Sequence, residues 1–349
     1  MKEYEDPPTV EPRVLDRAAA AIRAGRLVVF PTETVYGLGA DALRGDAVAR
    51  VFAAKRRPAD NPLIVHLADR GQIESVATDV PPAAIALFER FAPGPLTIVL
   101  PARADLPRVV TAGLSTVAVR FPAHPVAQQL LRACGRPLAA PSANRSGEPS
   151  PTTVEMARAS LGAAVDVYLD GGPCSVGLES TVVLVRGTRA LILRPGAVTA
   201  ERMREAVDGL EVDFAAAGPS ERPASPGMKH HHYRPRARVL IAEPRELASR
   251  PQAGERASVL DEGGLVAVVG LRETVREAIA RLERRGGPLL VREAADAGEY
   301  ARNLYRWFTE ADAAGAVAIV AILPPEQGIG RALRDRLERA SGGESVAGP

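Results

Sequence analysis

Lysine is almost missing from this chain. Only Lys2, Lys55 and Lys229 appear among its 44 basic residues, and arginine takes every other basic position. Cysteine is scarcer still, with Cys134 and Cys174 alone, and aromatic residues make up 4% of the sequence. Two cysteines without ligand spacing argue against a disulfide framework or a cysteine-built zinc site, and point to a reducing cytoplasm. The longest apolar run, Ala313 to Leu323, falls short of the roughly 20 residues that a membrane span needs. The acidic start "MKEYEDPPTVEPR" has no apolar core, so no secretory signal is expected. A net charge of +2 and sparse aromatics do not demand a large nucleic-acid face, and leave room only for weak RNA binding. The dipeptide Gly-Lys never occurs, which excludes a P-loop, and no G-x-S-x-G elbow is found. "YGLGADA", with Gly37 and Gly39, and "GIGRAL" each lack the third glycine of a dinucleotide fingerprint.

What the chain has is alternation. Its 349 residues, 46% hydrophobic and 25% charged, suit two globular domains. From residue 13 to 208, apolar runs such as "RLVVF", "LIVHL", "LTIVL", "TVAVRF", "STVVLV" and "ALILR" read as strands. Helical patterns near 82–92, 125–134 and 152–161 fall between them, and "PTETVYGLGADA" reads as a turn-rich segment. The expected fold is α/β with a mixed, twisted sheet. Periodicity fades over 209–237, a linker by composition. It returns in 238–349 as a smaller β-α-β-α-β unit, expected to be a doubly wound, Rossmann-like parallel sheet. In that unit Tyr300, Leu304, Trp307 and Phe308 form a stripe at helical spacing that reads as core.

The candidate chemistry lies in polar loops at strand ends, where α/β folds place their ligands. "PTETVYGLG" offers Thr32, Thr34 and Tyr36; "KRRPADNPLIVHL" offers Lys55, Arg56, Arg57, Asn61 and His66. Thr116 and Arg120 are four apart on a strand and therefore share a face. In "APSANRSGEPSPTT", Ser150 followed by Pro151 reads as a helix N-cap with proline at the first helical position. "GLESTVV" and "LRPGAVT" add Ser180 and Arg194. Scattered cations and hydroxyl loops without an evident nucleophile suit a polyphosphate, because phosphoryl and nucleotidyl transfer need positioning and charge neutralisation above all. The run "SPGMKHHHYRP" is a poor metal site, since three consecutive side chains cannot converge on one ion.

Seven motifs in order, "PTETVYGLGADA", "KRRPADNPLIVHL", "PGPLTIVL", "VAVRFP", "PSANRSGEPSPT", "GLESTVV" and "ILRPGAVT", resemble the YrdC/Sua5 family over residues 28–199. The linker and the α/β unit after it resemble the longer Sua5 type. The resemblance implies threonylcarbamoyl-AMP synthesis: L-threonine, bicarbonate and ATP give threonylcarbamoyl-AMP and pyrophosphate, the first step of N6-threonylcarbamoyladenosine formation at position 37 of tRNA. The intermediate would pass to the downstream tRNA threonylcarbamoyl transferase machinery. By motif position, Lys55 and Arg57 would be catalytic, neutralising the triphosphate. Arg57, Asn61, Thr116, Ser142, Asn144, Ser150, Arg194, His232 and Tyr233 would bind ATP, while Thr34, His66, Arg120, Ala140 and Ser180 would bind L-threonine.

Magnesium would arrive with ATP rather than on protein side chains. Lys229, His230, His232 and Tyr233 would form a lid over the pocket, with the C-terminal domain supporting it. The family usually shows Tyr-x-His-Tyr after the lysine, and here His230 stands first. Two other readings are a carbamoyltransferase that adenylates carbamoyl phosphate, and an RNA-binding protein without turnover.

Overall fold

A computed structural model describes residues 10–215, 233–244, 263–282 and 287–346. They divide into two units. One holds the described residues up to Ala215, and the other those from Tyr233 onward, with residues 147–149 grouped with the second.

In the first unit the order is α1 (Pro12–Arg23), β1 (Val28–Phe30), β2 (Gly37–Asp41), α2 (Gly45–Lys55), β3 (Ile64–His66), α3 (Pro82–Phe91), β4 (Leu96–Pro101), α4 (Arg108–Thr111) and β5 (Thr116–Arg120). Then follow α5 (Pro125–Cys134), β6 (Leu138–Ala139), α6 (Val154–Leu161), β7 (Val167–Tyr168), β8 (Thr181–Arg186), β9 (Arg189–Arg194), α7 (Ala200–Ala206) and β10 (Glu211–Phe214). The helices carry local signals in their sequence. Pro12 and Pro125 open α1 and α5 where a missing N–H costs nothing, and Gly135 closes α5 at φ 61°.

The ten strands form one mixed sheet in the order β10-β9-β8-β4-β5-β3-β6-β2-β1-β7. Its main core contains Val48, Val51 and Phe52 of α2, Leu87 and Phe88 of α3, Val110 of α4, Val154 and Leu161 of α6 and Met203 of α7, packed on one face. The opposite face is divided. Helices α1 and α5 pack on its β6-β1-β7 end through Ile22, Leu130, Leu131, Val28, Phe30 and Leu138. Its other half bears a separate patch, Ile64, Val99, Ala118, Val182 and Leu193, which no helix residue among those described joins. That half carries the candidate chemistry.

Three expectations change. "YGLGADA" is strand β2, not a turn: Gly37 and Gly39 pack against the Phe30 ring, and a Cβ on Gly39 would lie 2.8 Å from Phe30 Cε1. The N-cap before α6 is Thr153, whose hydroxyl accepts from Met156 N, so Ser150 and Pro151 precede the helix and Ser150 is free to do something else. The segment read as linker from 209 carries β10, parallel to β9.

The second unit runs β11 (Arg238–Ala242), β12 (Val266–Leu271), α8 (Arg272–Leu282), β13 (Leu289–Ala294), α9 (Ala297–Ala313), β14 (Ala318–Ile322) and α10 (Gly330–Ser341). Its sheet is parallel throughout, in the order β11-β14-β12-β13, as expected for a doubly wound unit. Asp296 caps α9 by accepting from Glu299 N, and Glu299 reaches back to Ala295 N, a reciprocal cap. Tyr300, Leu304, Trp307 and Phe308 on α9 are all buried, so the stripe is core. "GIGRAL" opens α10, and its Gly330 is explained by packing: a Cβ there would sit 1.9 Å from Pro325 O.

Candidate active site

Strand register assembles the site. Arg120, the last residue of β5, stands opposite His66 of β3 on one side and Thr97 of β4 on the other. Partners in register point to the same face, so all three project beside the Ile64–Val99–Ala118–Val182–Leu193 patch. Thr97 Oγ1 lies 2.7 Å from Ser180 Oγ, just before β8. Arg194, at the end of β9, donates to Ser180 O from Nε (3.1 Å) and Nη2 (3.0 Å), and from Nη2 to Ser180 Oγ at 3.2 Å. The return of the chain after β9 depends on Gly196, where a Cβ would lie 2.4 Å from Thr181 N.

Arg120 carries the site's strongest electrostatic feature. Its Nη2 donates to Glu33 Oε1 at 2.7 Å, and Glu33 Oε2 accepts from Ala123 N at 3.0 Å. Both side chains are buried. The guanidinium also reaches Gly94 O from Nε at 3.4 Å, and among the described residues nothing bonds its Nη1 edge. Glu33 is held by its own loop: Thr32 Oγ1 donates to Val35 O and lies 2.8 Å from Thr34 Oγ1, while Val176 N and Gly177 N bond the carbonyls of Glu33 and Thr34. Tyr36 has no free hydroxyl to offer; it donates to Gly172 O at 2.7 Å and accepts from Gly171 N.

His66 is buried, and its Nδ1 has no partner among the described residues. Burial and, second, the neighbouring Arg120 push its pKa from the usual 6.5 down to about 3, so the ring is neutral. A group with a depressed pKa stabilises the fold above its unfolded value and loses that contribution as pH falls. Wild-type stability therefore drops between pH 6.5 and about 3, by as much as about 1.4 kcal/mol per pH unit from this group. In His66→Asn the slope of unfolding free energy against pH is expected to be shallower across that window. Equal slopes would mean that the ring does not titrate as described.

At the other end of β3 and β5 lie further candidates. Thr116 begins β5, about 13 Å from Arg120 along the strand. Asn61 precedes β3 at that same end; it is buried, and its Oδ1 is unpartnered among the described residues. Ser142 bridges Gly37, and Ala140 N donates to Ile64 O at 2.9 Å. Ala140's amide is thus spent on the sheet.

Lys55 ends α2 fully buried, with its ammonium donating to the carbonyls of Ser142 and Asn144. Lys55, expected from the sequence to neutralise the triphosphate, also ties down the Ser142–Asn144 loop through these two bonds. Arg56 takes φ 51° and turns the chain, and Arg57 donates from Nη2 to the carbonyls of Asn61 and Pro62 at 3.4 and 3.3 Å. Asn144 Nδ2 donates to Arg145 O. Ser150, freed from capping, donates to Glu179 Oε1 at 2.6 Å.

Tyr233 lies in the second unit, buried, its ring 5.4 Å from that of Tyr305 and under the Arg336 guanidinium. The other lid candidates, Lys229, His230 and His232, lie outside the described residues, as does the rest of the histidine triplet.

Sequence reasoning missed Glu33, Thr97 and Glu179. The first and last were marked only by being acidic inside otherwise neutral hydroxyl loops, "PTET" and "GLEST". Thr97 was visible as a polar residue inside the apolar run "LTIVL". No three of His, Cys, Asp and Glu gather as a metal cage among the described residues, and none of their helices is long and apolar enough to cross a membrane.

Comparisons with known proteins agree with this architecture. A family model for Sua5, YciO and YrdC proteins, described as telomere recombination, matches residues 20–196. A second, described as threonylcarbamoyl-AMP synthase, C-terminal domain, matches residues 198–342. The threonylcarbamoyl-AMP synthase of Pyrococcus abyssi is 42% identical over 327 residues, 93% of each chain. That of Bacillus subtilis is 40% identical over 341 residues, 97% of this chain and 95% of the relative. A crystal structure of P. abyssi Sua5 complexed with L-threonine superposes with a TM-score of 0.83 at 37% identity, covering 97% of both chains. With both of its domains matched and relatives aligned along nearly its whole length, the chain belongs to the Sua5/YciO/YrdC family, in the form that ends in the Sua5 C-terminal domain.

Proposed function

We propose that the protein is a threonylcarbamoyl-AMP synthase, joining L-threonine, bicarbonate and ATP into threonylcarbamoyl-AMP and pyrophosphate. The observation that carries this reading is the group abreast on the sheet: among the described residues, Arg120 has an unbonded Nη1 edge, His66 an unpartnered Nδ1, and Ser180 is held by Thr97 and Arg194. Buried polar atoms without partners are costly, and an amino acid satisfies these. Its carboxylate takes the guanidinium edge, and the neutral imidazole is left to bond its polar substituents. The threonine complex of the P. abyssi relative supports the same occupant.

The nitrogen of threonine forms a bond to the carbon supplied by bicarbonate, and water and one proton leave. A carbamate oxygen then attacks the α-phosphorus as the bond to pyrophosphate breaks. The nucleotide is assigned to Arg57, Asn61, Thr116, Ser142, Asn144, Ser150 and Arg194. These residues orient the triphosphate and offset its charge. Among the described residues Glu33 bonds Arg120 and Ala123, Glu179 bonds Ser150, and no three His, Cys, Asp or Glu gather. The donor set therefore fits Mg²⁺ held on the phosphates rather than in a protein cage. Such an ion supplies further charge neutralisation there. The labile product is then expected to serve tRNA modification.

The test is pyrophosphate release together with the mass of the nucleotide product. Release and a threonylcarbamoyl adenylate, both lost when threonine is omitted, are the expected result. An adenylate formed only from carbamoyl phosphate would instead make the protein a carbamoyltransferase.

A further inference from the structure

We propose that Glu33 is the second pole of the amino-acid subsite: its carboxylate receives the substrate's α-ammonium while Arg120 receives the α-carboxylate. This rests on the synthase reading above.

The argument begins with a pair that stability alone does not explain. Burying a guanidinium and a carboxylate together gains little over a well-packed apolar pair, because both must leave water. Yet Glu33 and Arg120 are buried side by side at 2.7 Å, on the half of the sheet whose apolar patch no described helix residue joins. Glu33 is fixed from both sides, by Arg120 Nη2 on Oε1 and by Ala123 N on Oε2. Each carboxylate oxygen has two lone pairs, so each keeps room for another donor. Arg120 in turn keeps its Nη1 edge. Among the described residues, the pair is thus a fixed dipole with acceptor room left at one pole and donor room at the other. An α-amino acid is the matching dipole, with its carboxylate and ammonium on adjacent atoms of one carbon. The other buried acids among the described residues bond different groups: Glu179 accepts from Ser150 Oγ, and Asp41 from Leu43 N.

The assignment has a consequence for the first chemical step. When the ammonium becomes a carbamate, an N–C bond forms and nitrogen loses two protons, one in the water derived from bicarbonate and one to solvent. The group beside Glu33 changes from cation to anion. The carboxylate that drew the amine in then repels the carbamate, away from itself and toward cationic groups and the nucleotide.

Calorimetric titration of the full-length protein distinguishes the possibilities. The ligands are L-threonine and its deaminated analogue dihydroxybutanoate, in which a hydroxyl replaces the ammonium. The wild type is expected to bind the analogue at least about ten-fold more weakly than threonine, the value of one charge-assisted hydrogen bond. Glu33→Gln is expected to lose about ten-fold or more in threonine affinity while its affinity for the analogue stays within about two-fold. Glu33→Asp, which keeps the charge, should recover part of the threonine affinity. Equal losses for both ligands would make Glu33 only a support for Arg120 and overturn the proposal. Equal binding of the two ligands by the wild type would overturn it without any variant. A wild type that binds no threonine, but still binds ATP, would instead sink the synthase reading itself.

Discussion

Arg120→Ala is expected to abolish threonine-dependent pyrophosphate release and to destabilise the fold by about 3–5 kcal/mol, the usual cost of removing one partner of a buried ion pair. The cause is specific. Without the guanidinium, Glu33 keeps only Ala123 N in a site where both acid and base were buried. The two losses can be separated. Adding Glu33→Gln to Arg120→Ala removes the stranded charge, so stability measured by denaturant unfolding should largely return, while turnover stays lost. Arg120→Lys keeps the charge but not the planar fork that a carboxylate meets with two parallel bonds. It is therefore expected to fold and to show a raised KM for threonine. Turnover at the wild-type level in Arg120→Ala would remove the amino-acid subsite from this end of the sheet.

The elements behind this site were unevenly legible. Strands such as β4 and β8 are dense apolar runs, and α5 announces both its ends, with Pro125 at one and Gly135 at the other. Strand β2 was hidden because its glycines imitate a turn, and only the Phe30 ring, packed against them from the neighbouring strand, shows why small residues are required. The N-cap of α6 was misplaced by three residues, since Ser150-Pro151 and Thr153 both satisfy local capping rules, and only the long-range bond from Ser150 to Glu179 decides between them. Within the site, the shared face of Thr116 and Arg120 followed from strand periodicity. The partners did not: Glu33 and Arg120 are 87 residues apart, as Thr97 and Ser180 are 83 apart. Such pairs are set by which loops and strands the fold brings together, which a single sequence does not display.

Lys55→Met is expected to weaken ATP binding strongly and to slow turnover about a hundred-fold, the scale of a displacement of about 1 Å in a positioned group. Threonine binding should change little. The ammonium of Lys55 holds the carbonyls of Ser142 and Asn144, and its own carbonyl accepts from Ser146 N, so one residue fixes the loop assigned to the nucleotide. His66, Arg120 and Ser180 stand on other elements and keep their bonds. Stability should fall by about 2–4 kcal/mol, because two charge-assisted bonds are lost and two carbonyls are left inside. Lys55→Arg is the sharper variant. This chain uses arginine at nearly every basic position, yet it retains a lysine here. A compact ammonium fits between two carbonyls in a fully buried space, whereas a planar guanidinium needs room that the packing does not leave. Lys55→Arg should therefore behave like Lys55→Met, with ATP affinity lost and threonine affinity kept. If arginine restored ATP binding, charge alone would be what the site requires, as the triphosphate-clamp role suggested by its motif implies.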